Sequence, residues 1–226
     1  MAQSTVISVA RLDAGLILAP ERYDPRRSSP SCPGVPIGEL AQIIGDTVAP
    51  ALSGGNMPAL ILDTSDAQEG VIRATKRYQT LADIGSAKKR VQPGDVIISR
   101  LRPYLRQVAF VDTAIFTHSG KPAEVVCSTE FYVLRARDEH SFAFLVPFLL
   151  SAPVQKQLAA AQEGGHHPRF NHNALRAIVV PASLLELRNP VSAEVERAVT
   201  MFRQSEQALI GLCTKCVPNP GPSERE

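Results

Sequence analysis

The sequence predicts an α+β domain: a mixed, twisted β-sheet with packed helices and long loops, followed by a C-terminal helix. Three observations carry this. Short β-branched runs such as Val96-Ile97-Ile98-Ser99 have the length and propensity of strands. They are separated by loops and helical stretches of unequal length, with no internal repeat, which disfavours regular βαβ units. The chain also holds 14 glycines and 18 prolines in 226 residues, so many connections and short elements are expected.

Taken in order, Thr5 to Leu12 is expected as a strand and the polar, proline-rich Tyr23 to Pro36 as loop. Gly38 to Ile44 suggests one or two helical turns before Gly45, and Ser53-Gly54-Gly55-Asn56 a turn. Pro58 to Leu62 is a buried strand, Asp63 to Gly70 is turn-forming, and Val71-Ile72 resume extended structure. Pro93-Gly94-Asp95 turns the chain into the strand Val96 to Ser99, with Val108 to Val111 as its neighbour and Arg100 to Arg106 connecting them. Glu124 to Leu134 forms another strand region. Phe142 to Gln162 has a helical apolar pattern that Pro147 and Pro153 split in two, with Ser151 capping the second piece and Gly164-Gly165 ending it. Arg176 to Pro181 is a short strand, and a final helix runs from Val191 to about Cys213, with Pro190 in its first turn. The expected division is a folded domain over 1–185, a packing or dimerisation helix over 186–216 and a disordered tail over 217–226.

Composition narrows the functional classes. With 44% apolar and 20% charged residues the chain is an ordinary globular sequence. Its longest greasy stretch, Ala143 to Val154, contains two prolines and a serine and is far short of a membrane span. No basic lead-in precedes the apolar patch at Leu16 to Pro20, so no signal peptide is expected. Four cysteines are too few and too scattered for a disulfide framework, which makes a reduced, cytoplasmic setting the default. Absent tryptophan and only 5% aromatics argue against a stacking platform for single-stranded nucleic acid.

The net charge of +2 conceals an uneven distribution. Residues 71–106 hold nine cations (Arg73, Lys76, Arg77, Lys88, Lys89, Arg90, Arg100, Arg102 and Arg106) against Asp83 and Asp95. That concentration repels itself unless an anion meets it, the alternative being a merely solvated face. Six of the nine are arginines, whose planar forks suit phosphate and guanine edges. Double-stranded nucleic acid is therefore the leading partner on charge alone. About six neutralised phosphates would give a slope of log affinity on log salt near −5. Lys88-Lys89-Arg90 is expected to be mobile until DNA arrives, and Tyr104 either offers its hydroxyl to a phosphate or packs.

A second polar stretch, Gly164 to Asn173, contains His166, His167, Arg169, Asn171, His172 and Asn173. As a DNA-facing loop it would offer Arg169 to guanine or phosphate and Asn171 or Asn173 to adenine. As plain structure, one asparagine caps a short helix and the histidines are simply exposed. A metal site is disfavoured because adjacent His166 and His167 rarely converge on one centre and no carboxylate lies between Glu163 and Asn173. Cys213-Thr214-Lys215-Cys216 is a lone CxxC, open to zinc or redox chemistry but more simply two cysteines at a helix end. Ser4, Ser99 and Ser119 lack a nucleophile elbow, and no phosphate loop or S-adenosylmethionine motif is present, so no catalytic residue and no cofactor are assigned. In the last helix Val195, Val199, Phe202, Leu209 and Cys213 form a seam broken by Glu206, suited either to a partner helix or to the chain's own domain.

Several segments, in order, resemble a target recognition domain of the DNA-specificity (S) subunit of type I restriction–modification systems. They are Ile37-Gly38-Glu39-Leu40-Ala41-Gln42-Ile43-Ile44-Gly45, Pro58 to Leu62 with Asp66 and Gly70, and the run from Pro93 to Arg106. Ser128-Thr129-Glu130-Phe131-Tyr132-Val133-Leu134-Arg135, Leu149-Leu150-Ser151 and the stretch from Gly164 to Pro181 complete the set, which spans roughly residues 5–185. The resemblance implies a non-enzymatic module that grips the major groove of half a split target. Such a module directs a partner adenine methyltransferase and, in a defence assembly, a restriction subunit. The chain departs from the family in having room for one such domain rather than two, and in a shorter final helix. A half-subunit that forms a homodimer, or a single domain recruited by another complex, would reconcile both. A protein-interaction adaptor that has lost DNA reading is the alternative, and a metal-dependent nuclease using the histidine loop comes third.

Overall fold

The structure, a computed structural model, describes residues 8–9, 33–49, 58–73, 78–80, 83–118, 120–163 and 168–216. The expected turn at Ser53 to Asn56, the glycines Gly164 and Gly165, the 217–226 tail and all but two residues of the Thr5 to Leu12 strand lie outside these.

The chain begins with β1 (Gly34–Pro36), α1 (Ile37–Leu40) and β2 (Ala41–Ile44). Next come β3 (Pro58–Leu62), a 3-10 turn at Thr64–Asp66, β4 (Ala67–Gln68), β5 (Val71–Ile72), β6 (Gln79–Thr80) and β7 (Lys88–Arg90). β8 (Val96–Ser99) leads through a 3-10 turn at Pro103–Leu105 to β9 (Val108–Phe110). A further 3-10 turn at Thr113–Phe116 precedes β10 (Thr117–His118), β11 (Lys121–Pro122), β12 (Glu124–Ser128) and β13 (Phe131–Ala136). The remainder is α2 (Leu145–Leu150), α3 (Ala152–Ala160), β14 (Gln162–Glu163), β15 (Arg169–Phe170), α4 (His172–Arg176), β16 (Val179–Pro181), α5 (Ala182–Glu186) and α6 (Arg188–Cys216).

The predicted α+β class holds, with two four-stranded sheets where one was expected. The first has the order β2-β13-β8-β9, all antiparallel, and the second the order β6-β3-β12-β7, in which β3 and β12 run parallel. The first sheet is the middle layer. Val96 and Ile98 of β8, Tyr132 and Leu134 of β13, and Val108 and Phe110 of β9 pack with Phe144, Leu145, Leu149, Leu158 and Leu175 from the helical side. Their neighbours Ile97, Phe131, Val133 and Ala109 point the other way, onto Leu60, Leu62, Val125 and Cys127 of the second sheet. Burial on both faces explains why these strands read as continuous apolar runs instead of alternating. Burial among these side chains pushes the Cys127 thiol up to about 12, which keeps it a packing group.

Several sequence expectations change in detail. Gly38 to Ile44 holds only one helical turn, after which Ala41–Ile44 pairs with β13, because the β-branched Ile43 and Ile44 complete the sheet. The end of the stretch expected as loop, Gly34–Pro36, pairs with β16. Glu124 to Leu134 is two strands, one in each sheet, joined by the turn Thr129-Glu130. Lys88-Lys89-Arg90 is not a mobile stretch: it is an edge strand paired with Val126 to Ser128. The helical pair breaks once, at Ser151, with Pro147 inside the first turn of α2 and Pro153 in that of α3; Ser151 is the N-cap residue but makes no side-chain cap bond. Gly94, at φ +90°, is a residue the Pro93–Asp95 turn requires, and the Asp95 carboxylate holds that turn by accepting from the Gln92 amide at 2.7 Å.

α6 has 29 residues, longer at both ends than the pattern from Val191 to Cys213 suggested. Its first half is docked. Val199 is buried, and the buried Ser192 hydroxyl accepts from the Phe144 amide and donates to the Ser141 carbonyl. Arg203 pairs with Asp112 at 2.8 Å and Glu206 at 2.9 Å, with Arg203 and Asp112 both largely buried. The second half exposes Leu209, Ile210 and Leu212. Arg203→Ala strands the Asp112 carboxylate, so it is expected to lower unfolding free energy by about 2 kcal/mol. Urea unfolding measures this, and an unchanged midpoint would show that the pair does not hold the helix.

Candidate nucleic-acid interface

Three connections meet at one end of the two sheets. Ser99 at the end of β8 pairs with Phe131 at the start of β13, and Ser128 at the end of β12 pairs with Lys88 at the start of β7. The Arg100–Arg106 loop, the Thr129-Glu130 turn and Lys88 therefore share that end. β15 joins them: Leu101 bridges to Arg169, and the Phe170 amide donates to the Arg100 carbonyl at 3.2 Å.

Glu130 sits at the centre. Arg100 donates to it through Nε at 2.7 Å and Nη2 at 3.3 Å, and Arg169 through Nε and Nη2, both at 3.1 Å. The Arg100 hydrogen bonds, with those of Arg169 added, hold the Glu130 carboxyl down to about 2. Beside it opens a cleft of about 390 Å³ lined by Arg100, Tyr132, Glu163, Arg169, Phe170 and His172. The Tyr132 hydroxyl donates to the Phe170 carbonyl at 3.0 Å, which fixes one wall.

The loop after Arg100 is strained and braced. Arg102 (φ 44°) and Arg106 (φ 53°) are left-handed, as is Glu69 (φ 45°) beside them, each at a cost on the order of 1 kcal/mol. Bracing offsets the strain. Arg106 donates to Glu69 at 2.6 Å and to the Leu150 carbonyl at the end of α2 at 3.0 Å, and the Glu69 amide donates back to the Arg106 carbonyl. Pro103 is buried beneath. What the loop presents is Arg102, exposed and with no side-chain partner among the described residues, Tyr104, 67% exposed, and Leu105, 45% exposed. Of the two alternatives for Tyr104, packing is removed.

The structure divides the other candidates. Lys89 is a correction: it is 7% exposed, donates to the Phe131 carbonyl at 2.7 Å and lies over the Tyr132 ring, so it cannot reach a phosphate. Arg73 and Arg90 are also corrected, since neither faces this end. Parallel pairing of Gly70 with Ala109 carries Arg73 level with Asp112, where it lies over Phe202 of α6, and Arg90 pairs with Glu124 at the far end of β12. Asn171 caps α4 by accepting from the Ala174 amide, and its amide group donates to Glu163, which leaves it unsuited to reading adenine. Asn173 is exposed on the first turn of α4. Lys76, Arg77, His166 and His167 lie outside the described residues. Glu130 and Glu69 were missed. Their partners are 30 to 39 positions away in sequence, and the sole local signal was an acid in a short turn between apolar strands.

Among the described residues no three His, Cys, Asp or Glu side chains are grouped to hold a metal ion, and no helix is long and apolar enough to cross a membrane.

No protein-family model matches the chain. It is 30% identical over 139 residues to the EcoDI type I restriction enzyme specificity subunit of Escherichia coli, a match covering 58% of this chain and 28% of that protein. It superposes on a chain from a solved type I restriction–modification complex with a TM-score of 0.58 and 25% identity, over 87% of this chain and 53% of the other. The HsdS subunit of Thermoanaerobacter tengcongensis shares the fold, with a TM-score of 0.52 and 22% identity over 86% of this chain and 51% of that one. The chain thus spans about a quarter of the curated relative and about half of each solved one. The resemblance to type I specificity subunits holds in both sequence and fold, and is consistent with a target recognition domain.

The charge network at this end makes stability acid-sensitive. Because the folded Glu130 carboxyl titrates below its ordinary value, its contribution is full above about pH 4.5 and is lost as pH falls towards 2. The urea-midpoint gap between the unaltered chain and Glu130→Gln is expected to be wide at pH 6 and to narrow at pH 3. A gap that does not change with pH would contradict the network.

Proposed function

We propose that this chain is a DNA-binding specificity module of the type I restriction–modification kind, without catalysis of its own, that recognises double-stranded DNA in a cytoplasmic setting. The observation that carries this is the braced loop at the sheet end, which holds Arg102, Tyr104 and Leu105 outward beside Arg100, Arg169 and Lys88. Lys88 and Arg102 grip phosphates, Arg106 braces the loop that carries Arg102, and the Arg100–Arg169 cleft meets base edges. A rigid display favours specific contact, because little side-chain or loop freedom remains to be lost on binding.

The division of labour follows the fold. Residues up to α5 carry the DNA face, and α6 carries the protein contacts. With its first half docked, α6 leaves Leu209, Ile210 and Leu212 for a partner: a methyltransferase subunit or the same helix of a second copy.

Binding of the full chain to a duplex, measured by fluorescence anisotropy across a salt series, tests the proposal. Two described phosphate contacts predict a slope of about −2 or steeper, short of the −5 that about six neutralised phosphates would give. Arg102→Ala is expected to reduce the slope by about 0.9. Absence of duplex affinity at low salt would contradict DNA recognition and leave the adaptor alternative.

A further inference from the structure

We infer that Tyr104 and Leu105 form an apolar patch that meets the 5-methyl group of thymine in the major groove. The inference deepens the proposal of duplex recognition and rests on it.

A single exposed leucine needs no explanation. Here two adjacent apolar side chains are held in water by backbone that costs energy to keep. The 3-10 turn Pro103–Leu105 is closed by the Leu105 amide on the Arg102 carbonyl at 2.9 Å and by the Arg106 amide on the Pro103 carbonyl at 2.8 Å. The chain enters and leaves it through left-handed Arg102 and Arg106, where glycine would be unstrained. Pro103 is buried and α3 packs against the turn, while Tyr104 stays two-thirds exposed and Leu105 just under half. Among the described residues the other exposed large apolar side chains, Val9 apart, lie on β16, at the end of α5 and on α6.

The surrounding charge selects what meets the patch. Arg102 directly precedes it, and Lys88 and the Arg100–Arg169 pair share the same end. A protein partner would have to desolvate these cations, and the cores of protein interfaces are depleted of charge. The patch is also small: two part-exposed side chains offer on the order of 200 Å², against roughly 800 Å² for one side of a stable protein interface. A duplex fits both facts, because phosphates meet the cations and a base edge needs only a small contact.

Within the major groove the thymine 5-methyl is the apolar feature of the base edges. Leu105 is more than half covered by its own domain, so it reaches a surface but does not enter a base stack as a wedge does. Tyr104 suits the same contact, since its ring supplies apolar area while its hydroxyl stays in water or at a phosphate. One methyl group is a small gain that a floppy loop would lose to ordering; the braced turn keeps it.

The test uses the full chain and a preferred duplex selected from a random-sequence library. Each thymine, on either strand, is replaced in turn by deoxyuridine, which removes the methyl group and keeps every hydrogen-bonding atom. For the unaltered chain one or two positions are expected to lose about fourfold in affinity, the worth of one buried methyl group. In Leu105→Ala or Tyr104→Ala the penalty at a sensitive position is expected to fall below about 1.5-fold, the coupling that a double-substitution cycle reads. Arg102→Ala, which removes a phosphate contact, is expected to weaken both duplexes alike and to keep the penalty. Four results would overturn the inference: a selected site without thymine, no position sensitive to deoxyuridine, a penalty undiminished in both Leu105→Ala and Tyr104→Ala, or a rise in fluorescence from 2-aminopurine placed beside a sensitive thymine, which would signal insertion into the stack. A chain that binds no duplex at all would instead remove the functional proposal beneath it, and the inference with it.

Discussion

The two-residue turn Thr129-Glu130 is the constraint on which the rest of the molecule depends. It carries the chain from β12 in one sheet to β13 in the other, so the two sheets cannot slide past one another. Phe131 immediately after it is buried against the second sheet while Tyr132 faces the helices, which sets the register of every strand in the middle layer. Register in turn decides which residues reach the end of the sheets. Ser99 opposite Phe131 places Arg100 beside Glu130, and Ser128 opposite Lys88 places that lysine at the same end. A slip of one residue would invert these faces and disperse the cluster.

Strain and rigidity complement each other at this end. Three non-glycine residues in left-handed conformation, Glu69, Arg102 and Arg106, are grouped where the loop crosses β4 and β5. Such backbone persists because charge-assisted bonds from Arg106 to Glu69 and to the Leu150 carbonyl over-determine it. The outcome is a loop that displays an aromatic and an aliphatic side chain in water, with most of its ordering cost already met by folding. The opposite end of the middle sheet is built differently. There Asp95 is buried against Arg135, and Asp138 pairs with Arg188, so acid and base are matched with no strained backbone beside them. The two ends of one sheet thus present unlike surfaces.

Much of the fold was legible in the sequence because it rests on local signals. The Val96–Ser99 strand, the Pro93–Asp95 turn, the return strand at Val108, the divided helix and the long final helix each follow from propensity, glycine or proline chemistry, or apolar period. Sheet membership was not legible, since nothing near Ser128 or Phe131 says that the chain changes layers between them. The site was only half legible. Arg100, Arg102 and Arg106 fall together because they occupy one loop between paired strands. By contrast, Lys89 and Arg90 alternate in a strand, so one points inward and the other lies at the far end. Counting charge along the chain treats such neighbours as one patch, and a strand does not. Glu130 and Glu69 escaped notice for the converse reason: their importance lies entirely in partners distant in sequence.

The central claim is that one end of the two sheets is the face that meets DNA. Hydrogen exchange of the full chain, with and without a saturating duplex, tests it most directly. The account predicts slower exchange on binding for the amides of residues 100–106, 129–130 and 169–172, with none for residues 92–95 and 138–142 at the opposite end. Protection concentrated at residues 92–95 and 138–142, with the Arg100–Arg106 loop unchanged, would contradict it.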